Sequence, residues 1–200
     1  MDLLVVALTF GAIFVVELPD KTFLATLVLS TKYRPLLVWI GVGLAFGVQT
    51  TIAVALGSVA GLLPEDVVRV AAAAMFLLGA FLLLREARTA DEEESETESE
   101  FAAKAREAHG LRVVLTCFLV LFAAEWGDLS QLLTLSLVAR YDDPLSVFAG
   151  AWAALLAVSG LAALTGRFLL DHVRLSVLHH VGAAVCVAMA GFIGWEILTS

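Results

Sequence analysis

Two short stretches place acidic residues inside otherwise apolar sequence, and both use the same spacing. They are residues 17–22 (ELPDKT) and 125–130 (EWGDLS). In each stretch a Glu precedes an Asp by three positions, which places both carboxylates on one face of a helix. Carboxylates with neighbouring hydroxyls are hard ligands that suit Mn²⁺, Ca²⁺ or Mg²⁺. Neither stretch contains Cys or His, which argues against a zinc or copper site.

We expect the two stretches to meet and form one cation site. A charged side chain at the bilayer centre costs about 2.5–3.5 kcal/mol, so the charged residues must face each other, water or an ion. Lys21 is a candidate counter-charge for Glu125 or Asp128, the alternative being a lysine that extends towards the membrane surface. Gln49 is a further candidate ligand, although interhelical hydrogen bonding is its usual role. The candidate metal ligands are Glu17, Asp20, Thr22, Glu125, Asp128, Ser130 and Gln131.

The residue between the two acids predicts a break in each helix. Pro19 has no N–H, so the carbonyl of Val15 loses its helical partner. Gly127 occupies the same place in the second stretch and weakens the helix through its conformational freedom. Such breaks are tolerated in a membrane where they line a cavity, and freed carbonyls can coordinate an ion.

The composition is that of an all-α integral membrane protein in a lipid bilayer. Hydrophobic residues make up 60% of the 200 positions and the mean hydropathy is +0.94, whereas soluble domains are nearer 45–50% apolar. A helix needs about 20 apolar residues to cross a bilayer. Six runs meet this length, approximately Leu3–Leu29, Leu36–Ala60, Val67–Leu84, Val113–Val138, Leu145–Leu170 and Val177–Leu198.

The net charge of −8 comes mainly from one segment. Seven of the twenty acids lie between Asp91 and Glu100, and without them the balance is −8 + 7 = −1. No basic patch with aromatic residues is present, so a nucleic-acid partner is not expected. The predicted organisation is a three-helix repeat over residues 1–84, an acidic linker over 85–110 and a second three-helix repeat over 111–200. A homo-oligomer is compatible with this composition.

The two halves repeat each other beyond the acidic stretches. Tyr33 and Tyr141 are 108 positions apart, as are the paired acids, whereas Pro35 and Pro144 are 109 apart. The one-residue shift falls in a loop, where an insertion is tolerated. An odd number of helices per half reverses the second half in the membrane, which is the inverted-repeat plan of many secondary transporters.

Lys and Arg predict the orientation. Nine lie in the first, third and fifth loops against two in the second and fourth. The positive-inside rule therefore predicts a multi-pass cell-membrane protein whose acidic 85–110 loop is cytoplasmic and whose termini are extracytoplasmic. The nine are Lys32, Arg34, Arg85, Arg88, Lys104, Arg106, Arg112, Arg167 and Arg174.

The chain resembles a family of six-helix manganese/calcium cation–proton exchangers with two E-x-G-D-[KR]-[TS] motifs. This resemblance covers essentially the whole chain and implies that Glu17, Asp20, Glu125 and Asp128 bind the transported cation. The activity it implies is export of Mn²⁺, or of Ca²⁺, against protons. Two positions depart from the motif: Pro19 replaces a glycine and Leu129 replaces a basic residue.

Charge counting favours exchange. Four carboxylates and one lysine sum to −3, which a divalent cation reduces to −1, and protons compete with the metal for the same carboxylates. No tightly bound cofactor is expected; Mn²⁺ or Ca²⁺ is the cargo and protons are the coupling ions. The alternatives are an exporter of another cationic solute, such as a basic amino acid, or a membrane scaffold with a structural ion. An enzyme is not expected, because no nucleophile–base set or phosphate loop appears.

Overall fold

The computed structural model describes residues 1–18, 20–88, 100–103, 109–172 and 175–199. All regular structure within these residues is helical. Pro19 and most of the predicted acidic linker (89–99 and 104–108) lie outside the described residues. The helices are α1 (Leu3–Glu17), α2 (Lys21–Lys32), α3 (Pro35–Ala60), α4 (Glu65–Glu86), α5 (Leu111–Ala124), α6 (Leu129–Tyr141), α7 (Pro144–His172) and α8 (Leu175–Thr199).

Three helical segments are each long and apolar enough to cross a bilayer. They are Pro35–Ala60, Asp66–Arg85 and Pro144–Leu164. Two more crossings result if each bent pair is one span, since α1 and α2 meet at 70° and α5 and α6 at 74°. In α8 the apolar stretch His180–Trp195 is shorter. The described residues therefore form an all-helical membrane protein with three to five candidate spans, and six crossings stay a prediction.

Helices α3 and α7 pack against each other in antiparallel directions. The indole N–H of Trp39 donates to the Leu156 carbonyl at 2.9 Å, and that of Trp152 donates to the Gly43 carbonyl at 3.0 Å. Each indole packs on a glycine of the opposite helix. These reciprocal bonds satisfy polar groups that have no water partner within a bilayer.

Two glycines 109 positions apart bring helices of the two halves into contact. A Cβ at Gly41 in α3 would lie 2.5 Å from the Val114 carbonyl oxygen in α5. A Cβ at Gly150 in α7 would lie 2.6 Å from the Val6 carbonyl oxygen in α1. Only glycine permits these approaches, and they hold each broken helix pair against a long helix from the other half.

The outer faces of the long helices are apolar and exposed. Leu44 and Leu56 on α3, and Leu77 and Phe81 on α4, are all more than half exposed. Buried polar residues lie instead between the helices, as expected when lipid surrounds the protein. The polar interior is concentrated where the two helix breaks meet.

Candidate metal site

Each acidic stretch lies at the junction of two helices, with its Asp beginning the second helix. In the first stretch α1 ends at Glu17, and the Asp20 carboxylate accepts from the Lys21 backbone N–H at 2.6 Å. In the second, the Asp128 carboxylate accepts from the Gln131 backbone N–H at 3.0 Å and from the Ser130 hydroxyl at 2.6 Å. An Asp at this position satisfies N–H groups that have no partner in the first helical turn. Capping thus fixes where these two carboxylates point.

The two junctions lie side by side, so the four carboxylates form one cluster. One oxygen from each of Glu17, Asp20, Glu125 and Asp128 lies within 4.8 Å of the others. Glu17 is fully buried and Glu125 is 4% exposed, whereas Asp20 and Asp128 are partly buried. Four negative charges at this separation repel one another strongly in a medium of low dielectric. The arrangement requires a cation, protons or both.

Several polar atoms in and near the cluster have no hydrogen-bond partner among the described residues. Both carboxylate oxygens of Glu17 and the hydroxyls of Thr22 and Thr26 are buried without such a partner. Buried polar groups without partners are costly and normally rare. These oxygens are suitable donors for a hard divalent cation. Thr26, one helical turn beyond Thr22, lies outside the two acidic stretches, so the motif spacing does not mark it.

A cavity of about 270 Å³ reaches the cluster from one side. Asp20, Lys21, Glu125 and Asp128 line it together with apolar residues of α4 and α6. The Lys21 side chain is exposed. It therefore shares a cavity with the acidic residues that it was predicted to neutralise, without being enclosed with them.

The two candidate glutamines bind backbone groups. The side-chain oxygen of Gln131 accepts from the Gly127 N–H at 3.0 Å, and the side-chain amide of Gln49 donates to the Phe122 carbonyl at 3.1 Å. Their predicted role as metal ligands stays a prediction. The Asp128-x-x-Gln131 spacing matches that of a capping box, and this signal could have indicated that the Gln131 side chain turns back to the backbone of the break.

The helix breaks were expected to free backbone carbonyls, and the structure places one at each break, those of Val15 and Phe122. The Phe122 carbonyl accepts a hydrogen bond from the Gln49 side-chain amide. The Val15 carbonyl oxygen lies 3.3 Å from the place where a Cβ of Gly182 in α8 would be. Neither carbonyl is needed to explain the oxygen-rich cluster, which the side chains supply.

Buried carboxylates at paired helix breaks are characteristic of membrane proteins that transport ions. The family model described as "Divalent cation/proton antiporter GDT1" matches residues 5–91 and 113–200. The chain belongs to this family, which confirms the resemblance inferred from the two motifs. The family is one of transporters rather than enzymes.

Relatives from plants and bacteria match nearly the whole chain. "Protein PAM71, chloroplastic" from Arabidopsis thaliana is 30% identical over 212 residues, covering 96% of this chain and 57% of the relative. A GDT1-like protein of Synechocystis sp. is 28% identical, covering 94% of this chain and 97% of the relative. A Vibrio cholerae protein named "Putative manganese exporter" is 29% identical, covering 93% and 88%. The chain spans a little over half the length of the Arabidopsis relatives. No solved structure matches significantly.

Proposed function

We propose that this protein is a secondary transporter that exports divalent cations from the cytoplasm in exchange for protons. Mn²⁺ is the preferred cargo and Ca²⁺ the second. The observation that carries the proposal is the cluster of four carboxylates, two of them buried, at the junction of two broken helices. Family membership and the name of the Vibrio cholerae relative support the choice of cargo and coupling ion.

The cluster supplies a reason for exchange. Glu17, Asp20, Glu125 and Asp128 with Lys21 carry a net charge of −3 when fully ionised. Moving an uncompensated charge of this size through a bilayer is costly. The site changes access with a metal ion bound or with protons bound in its place. It does not change access empty, because its charge is then uncompensated. In this scheme the loss of the metal on one side is matched by the gain of protons there.

We further propose six crossings arranged as two inverted three-helix repeats, with the termini outside the cytoplasm and the 85–110 loop within it. The contacts of Gly41 and Gly150, which are equivalent in the two halves, support this symmetry. The excess of Lys and Arg in the odd-numbered loops supports the orientation.

Inside-out vesicles that contain the protein test the transport proposal. Their interior is acidified and carries a pH dye, and uptake of Mn²⁺ or Ca²⁺ from outside is followed in separate experiments. We expect metal uptake to be accompanied by proton efflux, with Mn²⁺ taken up faster. The inactive control is Glu125→Gln with Asp128→Asn. The matched active control is Asp142→Asn, which removes an exposed carboxylate outside the cluster and suits the left-handed backbone there (φ 49°).

Each alternative outcome removes a part of the proposal. Metal uptake without proton movement would overturn the coupling. Absence of uptake of either ion by folded, correctly oriented protein would overturn divalent-cation transport. Proton-coupled uptake of a basic amino acid, or a tightly held metal without flux, would then identify the alternative functions.

A further inference from the structure

We propose that Gln49 and Gln131 are positioning residues that hold the glycine break between α5 and α6 in shape, and through it the carboxylates of Glu125 and Asp128. The inference deepens the proposed function, because its effect on transport requires those two carboxylates to bind the transported cation. Its structural part concerns the break itself and stands on hydrogen bonds of the described residues.

At this break, among the described residues, the Phe122 carbonyl accepts a hydrogen bond only from a side chain. The last helical bond of α5 runs from the Glu125 N–H to the Leu121 carbonyl. In an unbroken helix the next carbonyl, that of Phe122, would accept from the N–H of residue 126. Here it accepts from the side-chain amide of Gln49 in α3, 3.1 Å away. Gln49 is 5% exposed, so water does not readily replace it.

The break also leaves a donor, and Gln131 accepts from it. Gly127 has a left-handed backbone (φ 81°), and its N–H donates to the side-chain oxygen of Gln131 at 3.0 Å. The backbone N–H of Gln131 donates in return to the Asp128 carboxylate at 3.0 Å. This reciprocal pair resembles a capping box, with the glutamine reaching one residue further back. Gln131 therefore links the glycine to the carboxylate beside it.

The first break supplies an internal comparison. The positions equivalent to Gln131 and Gln49 are Phe23 and Val158, at offsets of 108 and 109. Both are buried in one apolar cluster, 1% and 2% exposed. The residue equivalent to Gly127 is Pro19, and proline has no N–H that needs an acceptor.

The carbonyls of the two breaks differ in the same way. Phe14 is equivalent to Phe122, and its carbonyl accepts from the Leu18 backbone N–H at 3.1 Å. It therefore needs no side-chain donor. Both amide side chains contact the second break, where the Phe122 carbonyl and the Gly127 N–H have no backbone partner among the described residues. This correlation within one chain is what a positioning role predicts.

The space around the glutamines favours the same role. They line, with Asp128 and Ser130, a gap of about 10 Å³. A gap of this size holds about one water molecule. The cavity that reaches all of Asp20, Glu125 and Asp128 is lined by other residues. The glutamines thus lie behind the carboxylates, where they support the backbone.

Two measurements on the full chain in lipid nanodiscs or vesicles test the proposal. The first is amide hydrogen exchange of the segment 122–131 in metal-free protein, which requires no transport activity. Gln131→Met removes the acceptor of the Gly127 N–H at nearly constant volume, and we expect about tenfold faster exchange there, the size that loss of one hydrogen bond produces. A purely metal-ligating Gln131 would leave this exchange unchanged, and that result would overturn the proposal for Gln131.

The second measurement is the KM for Mn²⁺ in the vesicle assay. Gln49→Met and Gln49→Glu both remove the donor to Phe122, and the glutamate also places a negative oxygen against the carbonyl. We expect the KM to rise about tenfold for Met and further for Glu, with a smaller change in the maximal rate. A ligand role predicts the opposite order, because glutamate keeps an oxygen for the metal; that order would overturn the proposal for Gln49.

The control is Thr51→Val in the same helix, whose hydroxyl is bonded to the Gly47 carbonyl within α3 at 2.7 Å and is exposed. It should change neither exchange at 122–131 nor the KM. If wild-type protein transports no Mn²⁺, the proposed function fails, while the exchange measurement still decides whether the glutamines hold the break.

Discussion

The two helix breaks of this protein perform the same task with different chemistry. The first break contains Pro19 in its sequence and is surrounded by apolar side chains, among them Phe23 and Val158. The second contains Gly127 with a left-handed backbone and is held by two glutamine side chains. Both deliver a Glu and an Asp to one cluster.

The difference shows that a half-site can be built from a constrained backbone or from side-chain hydrogen bonds. A proline break removes a donor and leaves less to satisfy. A glycine break keeps its N–H, so polar partners must be supplied from nearby. Repeats that have diverged in sequence can therefore keep the same carboxylate geometry, provided that the partners change together with the residue at the break.

The largest predicted effect tests whether the two halves contribute equally to the cargo site. Glu17→Gln and Glu125→Gln should each reduce initial Mn²⁺ uptake at sub-saturating concentration by roughly 100-fold or more, since losing one member of a buried charged contact costs about 2–5 kcal/mol. Uptake in the inside-out vesicles measures both. A large loss for only one of the two would show that a single half binds the ion.

Glycines outside the breaks test the symmetry of the packing. Gly41→Ala and Gly150→Ala each place a methyl group within 2.6 Å of a carbonyl oxygen. Each should destabilise the protein by about 1–3 kcal/mol, as overpacking does. Thermal unfolding in detergent measures the effect, with Gly194→Ala, which has open space beside it, as the control. Very unequal losses would contradict the equivalence of the two contacts.

The conformation of Gly127 predicts a smaller effect. Gly127→Ala should cost about 1–2 kcal/mol, because alanine disfavours the left-handed region, although nothing lies within 4 Å of the added methyl. The matched variant is Gly11→Ala in the interior of α1, also with open space, where alanine should instead stabilise the helix by about 0.5–1 kcal/mol. Unfolding temperatures that move in the same direction would contradict this reading of the second break.

The smallest effect concerns a cap outside the membrane. The Ser146 hydroxyl donates to the Asp143 carboxylate, and so does the Ser146 backbone N–H. These two bonds, the hydroxyl's the stronger, hold the pKa of that carboxyl below its ordinary value. A carboxyl whose pKa is lowered in the folded state contributes stability above its ordinary pKa. This contribution is lost as the pH falls through the lowered value.

Asp143→Asn should therefore reduce stability slightly at pH 7, and the difference from wild type should vanish in strong acid. Unfolding at pH 7 and in strong acid measures this, with Asp142→Asn, at the exposed neighbouring carboxylate, as the control. At the equivalent place in the first half, Arg34 precedes α3 without a side-chain cap. A pH-independent difference for Asp143→Asn would remove this contrast between the halves.

Much of this molecule follows from its sequence, and the remainder depends on distant contacts. Hydropathy predicts an all-helical membrane protein, and the two motifs predict its family, because both signals are local and repeated. The angles of 70° between α1 and α2 and 74° between α5 and α6 cannot be predicted from composition. The pairing of Gln49 with the Phe122 carbonyl joins residues 73 positions apart. No periodic pattern marks it, since a polar residue within an apolar helix has many potential partners.

The close contact of the two halves has a consequence for biosynthesis. Helix α1 packs on α7, α3 on α5, α6 and α7, and α4 on α8. All of these contacts join the part of the chain before the linker to the part after it. The helices that emerge first from the ribosome therefore cannot bury their packing faces until the later ones are made. Contacts so distant in sequence form slowly, and Glu17 in particular gains Glu125 and Asp128 as neighbours only after α5 and α6 have been made.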